Sequence, residues 1–507
     1  MNSYTIKYIV EGEWWTGSGP DTYSYNLNAK VALPIPEKTG YIFAGWREQG
    51  TSKNIYKIPK GDYGNKIYEA QWTLANASDV WVISDEDGLA RFRDLVNAGS
   101  TSLHAKLSND IVLDAYKNWT PIGYYASATS AYEGMVKSNA YTGIFDGQGY
   151  KISGLDAKWT ATYDEMRLGF FQYVYGTVKN LILEGSMNIQ TGYNVANFTT
   201  GIVGELISGY INGCTSRISV VGNGRIYFGG IVGEMKGGYV DNCRNEVGFT
   251  WSTDGYMGGI VGRMISGTVS NCINTGNFTS TYPWGTIGGI AGITSGSSSS
   301  TPIIRNCINR GSLQLARREN VHGYVGGILG MAWSTGIIEG CIVADIGTVT
   351  LEGGYYTAGI IGSYNMDKIT VKNCAIGPGL TLIGALFSGV TDYYSDTCWI
   401  RPIFNTAYLT EDSTGNTYEA FRLILYNSNF STYQELTIPA GTVPQVENGV
   451  QSTSIEMQDT SDEGEYEGED EMQDTSDEGE SEGEDEMQDT SDEGEYEGED
   501  EMQDIDQ

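Results

Sequence analysis

Six cysteines are the residues whose type and spacing most suggest chemistry in this 507-residue chain. Each follows a Gly-Ile-x-Gly tetrad, and the six recur with it: Cys214, Cys243, Cys272, Cys307, Cys341 and Cys374. Stacked in register, such thiols have Cβ atoms ~5 Å apart, more than the ~3.8 Å that a disulfide prefers. No CxxC occurs and neither His104 nor His322 follows the repeat, which argues against a metal ladder. We therefore predict buried, free, structural thiols, with no metal and no cofactor.

Charged residues that could serve as acid and base form no repeated motif. The candidates are Asp241, Arg244 and Glu246 on one repeat, Arg263, Arg305 and Arg310 on later ones, and Arg317, Arg318, Glu319 and His322 between two repeats. Glycoside hydrolysis needs two carboxylates at a defined separation. Clusters of charged residues that lack such a carboxylate pair usually form a solvated face. The sequence thus predicts no catalytic residue. A polysaccharide lyase or hydrolase stays open as an alternative.

Aromatic residues between the tetrads form the predicted ligand-binding row. Its members are Tyr227, Trp251, Tyr256, Tyr282, Trp284, Tyr324, Trp333 and Tyr355, with Phe228 and Tyr356 as neighbours. Most precede the next tetrad, so we expect them along one edge of the repeat stack, where rings could contact sugars or a partner's apolar surface. The alternative is that they only cover a corner of the coil.

The tetrads themselves predict the architecture that positions these residues. They are Gly201–Gly204, Gly230–Gly233, Gly259–Gly262, Gly289–Gly292, Gly327–Gly330 and Gly359–Gly362, and the one long interval holds a Ser-rich insertion around Ser295–Thr301. One unit cannot bury its own apolar residues, whereas stacked units form a continuous core. We predict a mainly β protein built on a parallel β-helix, with one coil per unit.

Two columns of this β-helix can be predicted residue by residue. The tetrad isoleucines should form an inward ladder: Ile202, Ile231, Ile260, Ile290, Ile328 and Ile360. The residues before the cysteines are only Asn or Gly: Gly213, Asn242, Asn271, Asn306, Gly340 and Asn373. These two types tolerate positive φ best, so this position is expected to be a left-handed corner.

The repeats are flanked by other regions. We expect a small β-grasp-like domain over residues 1–75, an N-terminal cap and first coil over 76–155, the β-helix over 156–390, a C-terminal cap over 391–450, and disordered acidic repeats over 451–507. Within the cap, Asp85–Gly99 has Leu89, Phe92 and Leu95 at helical spacing, and Ala105–Asp114 is typical of a strand. The helix is expected to close the open end of the stack.

Charge is concentrated at the end of the chain. The net charge is −34, but residues 456–507 hold 27 acidic and no basic residues, which leaves 37 acidic against 30 basic residues in the rest. Such a tail is expected to be disordered and to attract cations weakly. A body with a net charge of −7 argues against nucleic-acid binding. No apolar run is long enough for a transmembrane helix, and the start of the chain shows no secretory signal.

Two family resemblances follow from the motifs. Residues 3–73, through PEKTGYIFAGW and IYEAQW, resemble the Listeria–Bacteroides repeat, the internalin-type B repeat. Residues 80–380, through WTPIG, FDGQGYKISGL and the repeated GGIVG…G-x-[IV]-x-[NG]-C, resemble the GLUG-motif right-handed β-helix proteins. The resemblances imply an extracellular or cell-surface, adhesin-like, non-enzymatic protein whose partner is a host or microbial surface glycan or protein. A passive stalk or structural subunit is the further alternative.

Overall fold

The structure is a computed structural model that describes residues 3–442 with gaps. The gaps are residues 18–19, 25–30, 35, 37–40, 52–53, 56, 75–79, 125–138, 162–165, 192–196, 223, 297–299, 319–322, 354–355, 365–368, 386–399, 402–414 and 427–432. The predicted acidic repeats of residues 451–507 lie outside the described residues, as does the seventh cysteine, Cys398.

The first domain is a small mixed sheet built around one tryptophan. Its strands are Ser3–Val10, Glu13–Trp14, Thr22–Ser24, Tyr41–Glu48, Asn54–Ile55 and Lys66–Leu74, with a separate pair Val31–Ala32 and Lys57–Ile58. Trp46 is fully buried, packs against Tyr8 with ring centroids 4.8 Å apart and donates its indole N–H to the carbonyl oxygen of Pro34. Trp72 is half-buried against the same core.

A single α-helix among the described residues, Glu86–Asn97, covers the first coil of the second domain. Asp85 caps it by accepting a hydrogen bond from the backbone N–H of Gly88. Phe92, on the buried face, contacts the rings of Tyr141 and Phe145 in the first coil. The predicted helix is confirmed, and its apolar face lies over the end of the stack.

The second domain is a parallel β-helix, so the predicted fold class is confirmed. The chain visits five sheets, which we number I to V in the order of a coil that begins at Tyr239. The three coils before it each carry one long strand in sheet II and no strand in sheet III. Sheet I contains Val80–Ile83, His104–Leu107, Ile144–Asp146, Thr177–Lys179, Tyr210–Asn212, Tyr239–Asp241, Thr268–Ser270, Ile303–Arg305, Gly336–Glu339 and Ile369–Lys372. Sheet II contains Ile111–Val112, Lys151–Ala161, Ile182–Thr191, Thr215–Gly222, Arg244–Asn245, Ile273–Asn274, Ile308–Asn309, Ile342–Val343, Ala375–Ile376, Thr417–Tyr418 and Gly441–Thr442.

The other three sheets complete the coil. Sheet III contains Phe249–Trp251, Phe278–Ser280, Leu313–Leu315, Val349–Glu352, Leu380–Ala385, Phe421–Tyr426 and Tyr433–Ile438. Sheet IV contains Arg167–Leu168, Asn197–Thr200, Ile226–Gly229, Gly255–Gly258, Thr286–Gly288, Tyr324–Gly326, Tyr356–Ala358 and Ile400–Arg401. Sheet V contains Phe171–Val174, Val203–Leu206, Val232–Met235, Val261–Met264, Ala291–Thr294, Leu329–Ala332 and Ile361–Tyr364.

Both predicted columns are present. The six tetrad isoleucines are fully buried between sheets IV and V. The residues before the cysteines all have positive φ, between 51° at Asn242 and 63° at Gly340, and they form the corner between sheets I and II. The left-handed corner is therefore confirmed at all six positions.

The ends of the stack differ from the sequence predictions in detail. The strand predicted over Ala105–Asp114 is two strands, His104–Leu107 and Ile111–Val112, because the coil turns at residues 108–110 and enters another sheet. At the other end, Tyr433–Ile438 pairs antiparallel with Phe421–Tyr426 and so ends the parallel stacking of sheet III. Among the described residues, no helix has the length and apolar character needed to cross a membrane.

Candidate functional site

The outer surface of sheet IV carries a column of residues that we call the aromatic column. In-register pairing of successive strands places its members one above another: Arg167, Phe198, Tyr227, Tyr256, Thr286, Tyr324 and Tyr356. The structure thus brings together Tyr227, Tyr256 and Tyr324 of the predicted row. Phe198 and Arg167 extend the column, although sequence reasoning did not select them.

The rings of the aromatic column stack on one another. Phe198 and Tyr227 have centroids 4.6 Å apart, Tyr227 and Tyr256 4.9 Å, and Tyr324 and Tyr356 4.9 Å, with interplanar angles of 10° to 16°. Rings that cover each other's faces leave mainly their edges to solvent. A ligand on this surface therefore meets ring edges and phenolic hydroxyl groups.

Two hydroxyl groups of this column are held protonated. Burial, with the neighbouring Tyr227 and Asp254, raises the pKa of Tyr256 to about 12 against the opposing effect of Arg225. Burial likewise raises the pKa of Tyr227 above its usual value. Both phenols can therefore donate a hydrogen bond at any physiological pH.

Two tryptophans next to the column remain accessible. Trp333, which follows the strand Leu329–Ala332 of sheet V, is 45% exposed and packs edge-on against Tyr256 with centroids 6.3 Å apart. Trp284 is 51% exposed and lies two residues before the strand Thr286–Gly288. An exposed indole face is the aromatic surface on which a sugar ring can stack.

The second half of the site is sheet V, which lies unusually close to sheet IV. A Cβ added at Gly262 would lie 2.7 Å from the carbonyl carbon of Phe228, and one at Gly229 would lie 2.6 Å from the backbone nitrogen of Gly262. Glycine is therefore required at the last position of the tetrad, Gly262, and directly before a tetrad, at Gly229, where the two strands approach backbone to backbone. This approach places the side chains of sheet V beside the aromatic column.

Five charged residues from both sheets form what we call the charge chain. Arg167 lies between two carboxylates, with Nε 2.8 Å from Glu205 and Nη2 2.8 Å from Glu234. Lys236 extends the chain beyond Glu205 at 3.6 Å, and Arg263 extends it beyond Glu234 at 3.5 Å. The guanidinium of Arg167 lies over the Phe198 ring, 4.5 Å from its centroid. The charge chain is thus continuous with the aromatic column.

Burial determines the protonation of this chain. Although burial disfavours its charge, Arg167 has its pKa raised by Glu234 and Glu205, so it stays a cation. The pKa of Glu234 is raised first by burial and then by the like charge of Glu205, against the opposing effect of Arg167. Burying charged groups removes their hydration, and the attraction within a buried ion pair often only offsets that cost. The burial of this chain therefore does not by itself show that it stabilises the protein.

The repeat contains a signal that could have identified Glu205 and Glu234. Both follow the last glycine of a tetrad, in VGEL and VGEM, and Arg263 occupies the same position one coil later. The charge at this register position breaks an otherwise apolar strand. Arg167 carries no such signal, because it precedes the regular tetrads.

Several predicted ligand residues do not belong to the accessible surface. Trp251 is a correction: it is buried in the core, and its indole N–H donates to the carbonyl oxygen of Gly224. Side chains two residues apart on a strand point to the same face, so Trp251 points inward with Phe249. This spacing in the sequence could have predicted that Trp251 is buried. Phe228 is buried as well, Tyr282 is half-buried in a turn, and Tyr355 lies outside the described residues.

The candidate acid–base residues do not converge. Asp241 accepts hydrogen bonds from Ser270 and Asn271 on sheet I, whereas Glu246 pairs with Arg217 and Arg244 beside sheet II. The remaining described arginines of that set are dispersed: Arg305 on sheet I, Arg310 paired with Asp345, Arg317 paired with Glu352, and Arg318 exposed. Glu319 and His322 lie outside the described residues. The candidates therefore lie apart from one another, and Arg263 of the same set belongs to the charge chain.

The six repeat cysteines are buried and free. Their thiols donate to backbone carbonyl groups, as Cys272 does to Ser270 at 3.1 Å. Among the residues that the structure describes, no group of three or more His, Cys, Asp or Glu side chains could hold a metal ion.

Comparisons with known proteins give one distant structural likeness and no family. No protein-family model matches the chain, and no curated protein matches it. Among solved structures, the crystal structure of a putative immunoglobulin A1 protease from Bacteroides ovatus is similar with a TM-score of 0.37 and 18% sequence identity, over 66% of this chain and 86% of that one. A likeness at this level carries no argument about activity, and the two family resemblances stay predictions.

Proposed function

We propose that this protein is a non-enzymatic, adhesin-like β-helix protein of the cell surface or the extracellular medium that binds a glycan along the aromatic column. The observation that carries the proposal is a pair of exposed indoles: Trp333 packs edge-on against Tyr256 of the stacked tyrosines, and Trp284 lies two residues before Thr286 of the same column. Indole faces and phenol donors together suit a sugar, which offers apolar ring faces and hydroxyl groups. Its extracellular location is supported by the family resemblances alone.

A glycan array with matched variants tests this function. We expect the purified protein to retain a defined set of glycans, and Trp333→Ala and Trp284→Ala to weaken that retention. Tyr239→Ala is the matched control, because Tyr239 is an exposed aromatic residue on sheet I, away from the column. Retention of no glycan, or equal retention by both tryptophan variants and the wild type, would remove the column from the site.

The alternatives have their own observable outcomes. If the protein is a polysaccharide lyase or hydrolase, incubation with acidic and neutral polysaccharides releases unsaturated uronides or new reducing ends. If it is a passive stalk, neither binding nor release occurs. If the ligand is a protein, binding survives enzymatic removal of glycans from the target surface. Protease digestion of intact cells that express the chain tests its surface location.

A further inference from the structure

The charge chain buries its two anions and its central arginine, and it exposes only the cations at its ends. Glu205 and Glu234 are fully buried, and Arg167 between them is nearly so. The cations at the two ends, Lys236 and Arg263, keep 33% and 29% of their side chains exposed. The chain holds three cations against two anions, so its excess positive charge lies at the exposed ends.

One exposed cation, Arg263, lies against the aromatic column. The guanidinium of Arg263 is 5.9 Å from the ring centroid of Phe198 and 5.7 Å from that of Tyr227. Its Nε also donates to the side-chain oxygen of Ser295, which fixes the group at the surface. A ligand on the tyrosine edges therefore lies within reach of this positive charge.

Other charges on this surface balance one another. Arg225 pairs with Asp254 at 3.1 Å, and both side chains are partly exposed, so this pair adds no net charge. Lys236 and Arg263 lie on consecutive coils, about 4.8 Å apart along the axis, and Lys236 is two residues beyond Glu234, the partner of Arg263 in the register. The site is thus locally positive, whereas residues 1–455 as a whole carry a net charge of −7.

We propose that the ligand of the aromatic column is an anionic polysaccharide, whose carboxylate or sulfate groups are held by Arg263 and Lys236 while its sugar rings contact the tyrosine edges and Trp333. This inference rests on the proposed function. Arginine pairs with such oxyanions through parallel N–H groups, and lysine as a point charge. The two cations fall on successive coils, which suits a chain that lies along the axis and carries repeated charges.

The test compares a carboxylated polymer with its uncharged ester and with a sulfated polymer. Isothermal titration calorimetry of the full chain uses polygalacturonate, its fully methyl-esterified form and chondroitin sulfate. We expect polygalacturonate or chondroitin sulfate to bind at least about tenfold more tightly than the ester, with a loss of affinity as salt rises from about 0.05 M to about 0.5 M. Chondroitin sulfate carries both carboxylate and sulfate groups, so it tests whether a sulfated chain binds as well as a purely carboxylated one.

Variants locate the charge that is responsible. Arg263→Gln and Lys236→Gln should each weaken binding of the acidic chain about fivefold, equivalent to about 1 kcal/mol, and leave binding of the ester unchanged. Arg263→Lys, which keeps the charge, should retain most of the affinity. Arg310→Gln is the matched control, because Arg310 is a partly exposed, ion-paired arginine beside sheet II. Thermal unfolding of each variant verifies that it folds.

Failure of the anionic ligand and failure of the proposed function give different results. Equal affinity for polygalacturonate and its ester would overturn the anionic ligand while leaving the proposed glycan binding intact. Unchanged binding of the acidic chain by Arg263→Gln and Lys236→Gln, with both variants folded, would overturn it as well. Absence of binding to every glycan of the array and to all three polymers would overturn the proposed function itself.

Discussion

The side-chain amide of Asn274 donates a hydrogen bond of 2.9 Å to the side-chain oxygen of Asn309, one coil further along the stack. Asn245 donates in the same way to Asn274 at 2.8 Å. All three are buried and each also bonds the backbone two residues onward, so the amides form a ladder inside the β-helix. In the next coil the position is Val343, and the ladder ends there.

Asn274→Val should therefore destabilise the protein more than Asn309→Val. The first change removes a central amide that bonds both neighbours, and the second removes a terminal one that already faces a valine. We expect losses in the free energy of unfolding of about 3 and about 2 kcal/mol, because unpaired buried polar groups cost about 1–3 kcal/mol each. Urea unfolding of both variants measures the difference, and equal losses would contradict the ladder as a cooperative unit.

Gly262→Ala should be severely destabilising. Its Cβ would lie 2.7 Å from the carbonyl carbon of Phe228, a backbone atom that cannot move without separating sheets IV and V. We expect a loss of about 3 kcal/mol or more in the free energy of unfolding. Gly88→Ala in the helix Glu86–Asn97 is the control, since its nearest neighbour is the Asp85 side chain at 3.3 Å and the change should stay within about 1 kcal/mol. Thermal unfolding compares the two, and similar losses would argue against the close approach of the sheets.

Substitutions of Tyr256 should separate stacking from hydrogen bonding. Tyr256→Ala removes the ring that stacks on Tyr227 and meets Trp333, and we expect a loss of about 2 kcal/mol. Tyr256→Phe keeps the ring and removes only the hydroxyl group, which bonds Arg225, so it should cost about 1 kcal/mol or less. Chemical denaturation measures both. A phenylalanine variant as unstable as the alanine variant would show that stacking contributes little.

The carboxylate of Glu246 should make stability depend on pH. Hydrogen bonding to Arg217 and the charges of Arg217 and Arg244 hold its pKa below the usual 4.5, although burial opposes this. The unfolded chain then binds the proton more readily than the folded one. The stabilisation is complete above pH 4.5 and is lost as pH falls through the lower folded pKa.

Glu246→Gln removes this titration. The stability advantage of the wild type over the variant should be largest near neutral pH and shrink in acid, by at most about 1 kcal/mol because the pair is partly exposed. Urea unfolding between about pH 6 and about pH 3 measures the difference between the two proteins at each pH. A constant difference over that range would contradict the lowered pKa.

Much of the fold follows from the sequence because stacking makes the equivalent residues of successive repeats neighbours in space. Residues one repeat apart, such as Cys243 and Cys272, lie on adjacent coils in the same column. Asn271 has its left-handed φ of 53° for a purely local reason, since few residue types tolerate that corner. The inward Ile260 follows equally from the period. None of these positions depends on how distant sheets pack.

The site depended on information that the repeat alone does not contain. The period predicted that Tyr227 and Tyr256 share an edge, but the mutual covering of their faces follows from their side-chain conformations. Trp251 shares that period and yet points into the core, because its strand alternates in phase with Phe249. The repeat period determines which residues stack in one column. Whether their side chains point inward or outward depends on where each strand starts after its corner.

The coil, its corners, its isoleucine ladder and the concentration of charge in the last repeats can all be predicted from the order of residues. The backbone contact of sheets IV and V, and the reach of Arg167 to Glu205 and Glu234 on the opposite sheet, emerge only once the chain is folded. Distance along the chain explains the difference. Arg167 and Glu234 are 67 residues apart, and they meet because two sheets fold together at the glycine tetrads.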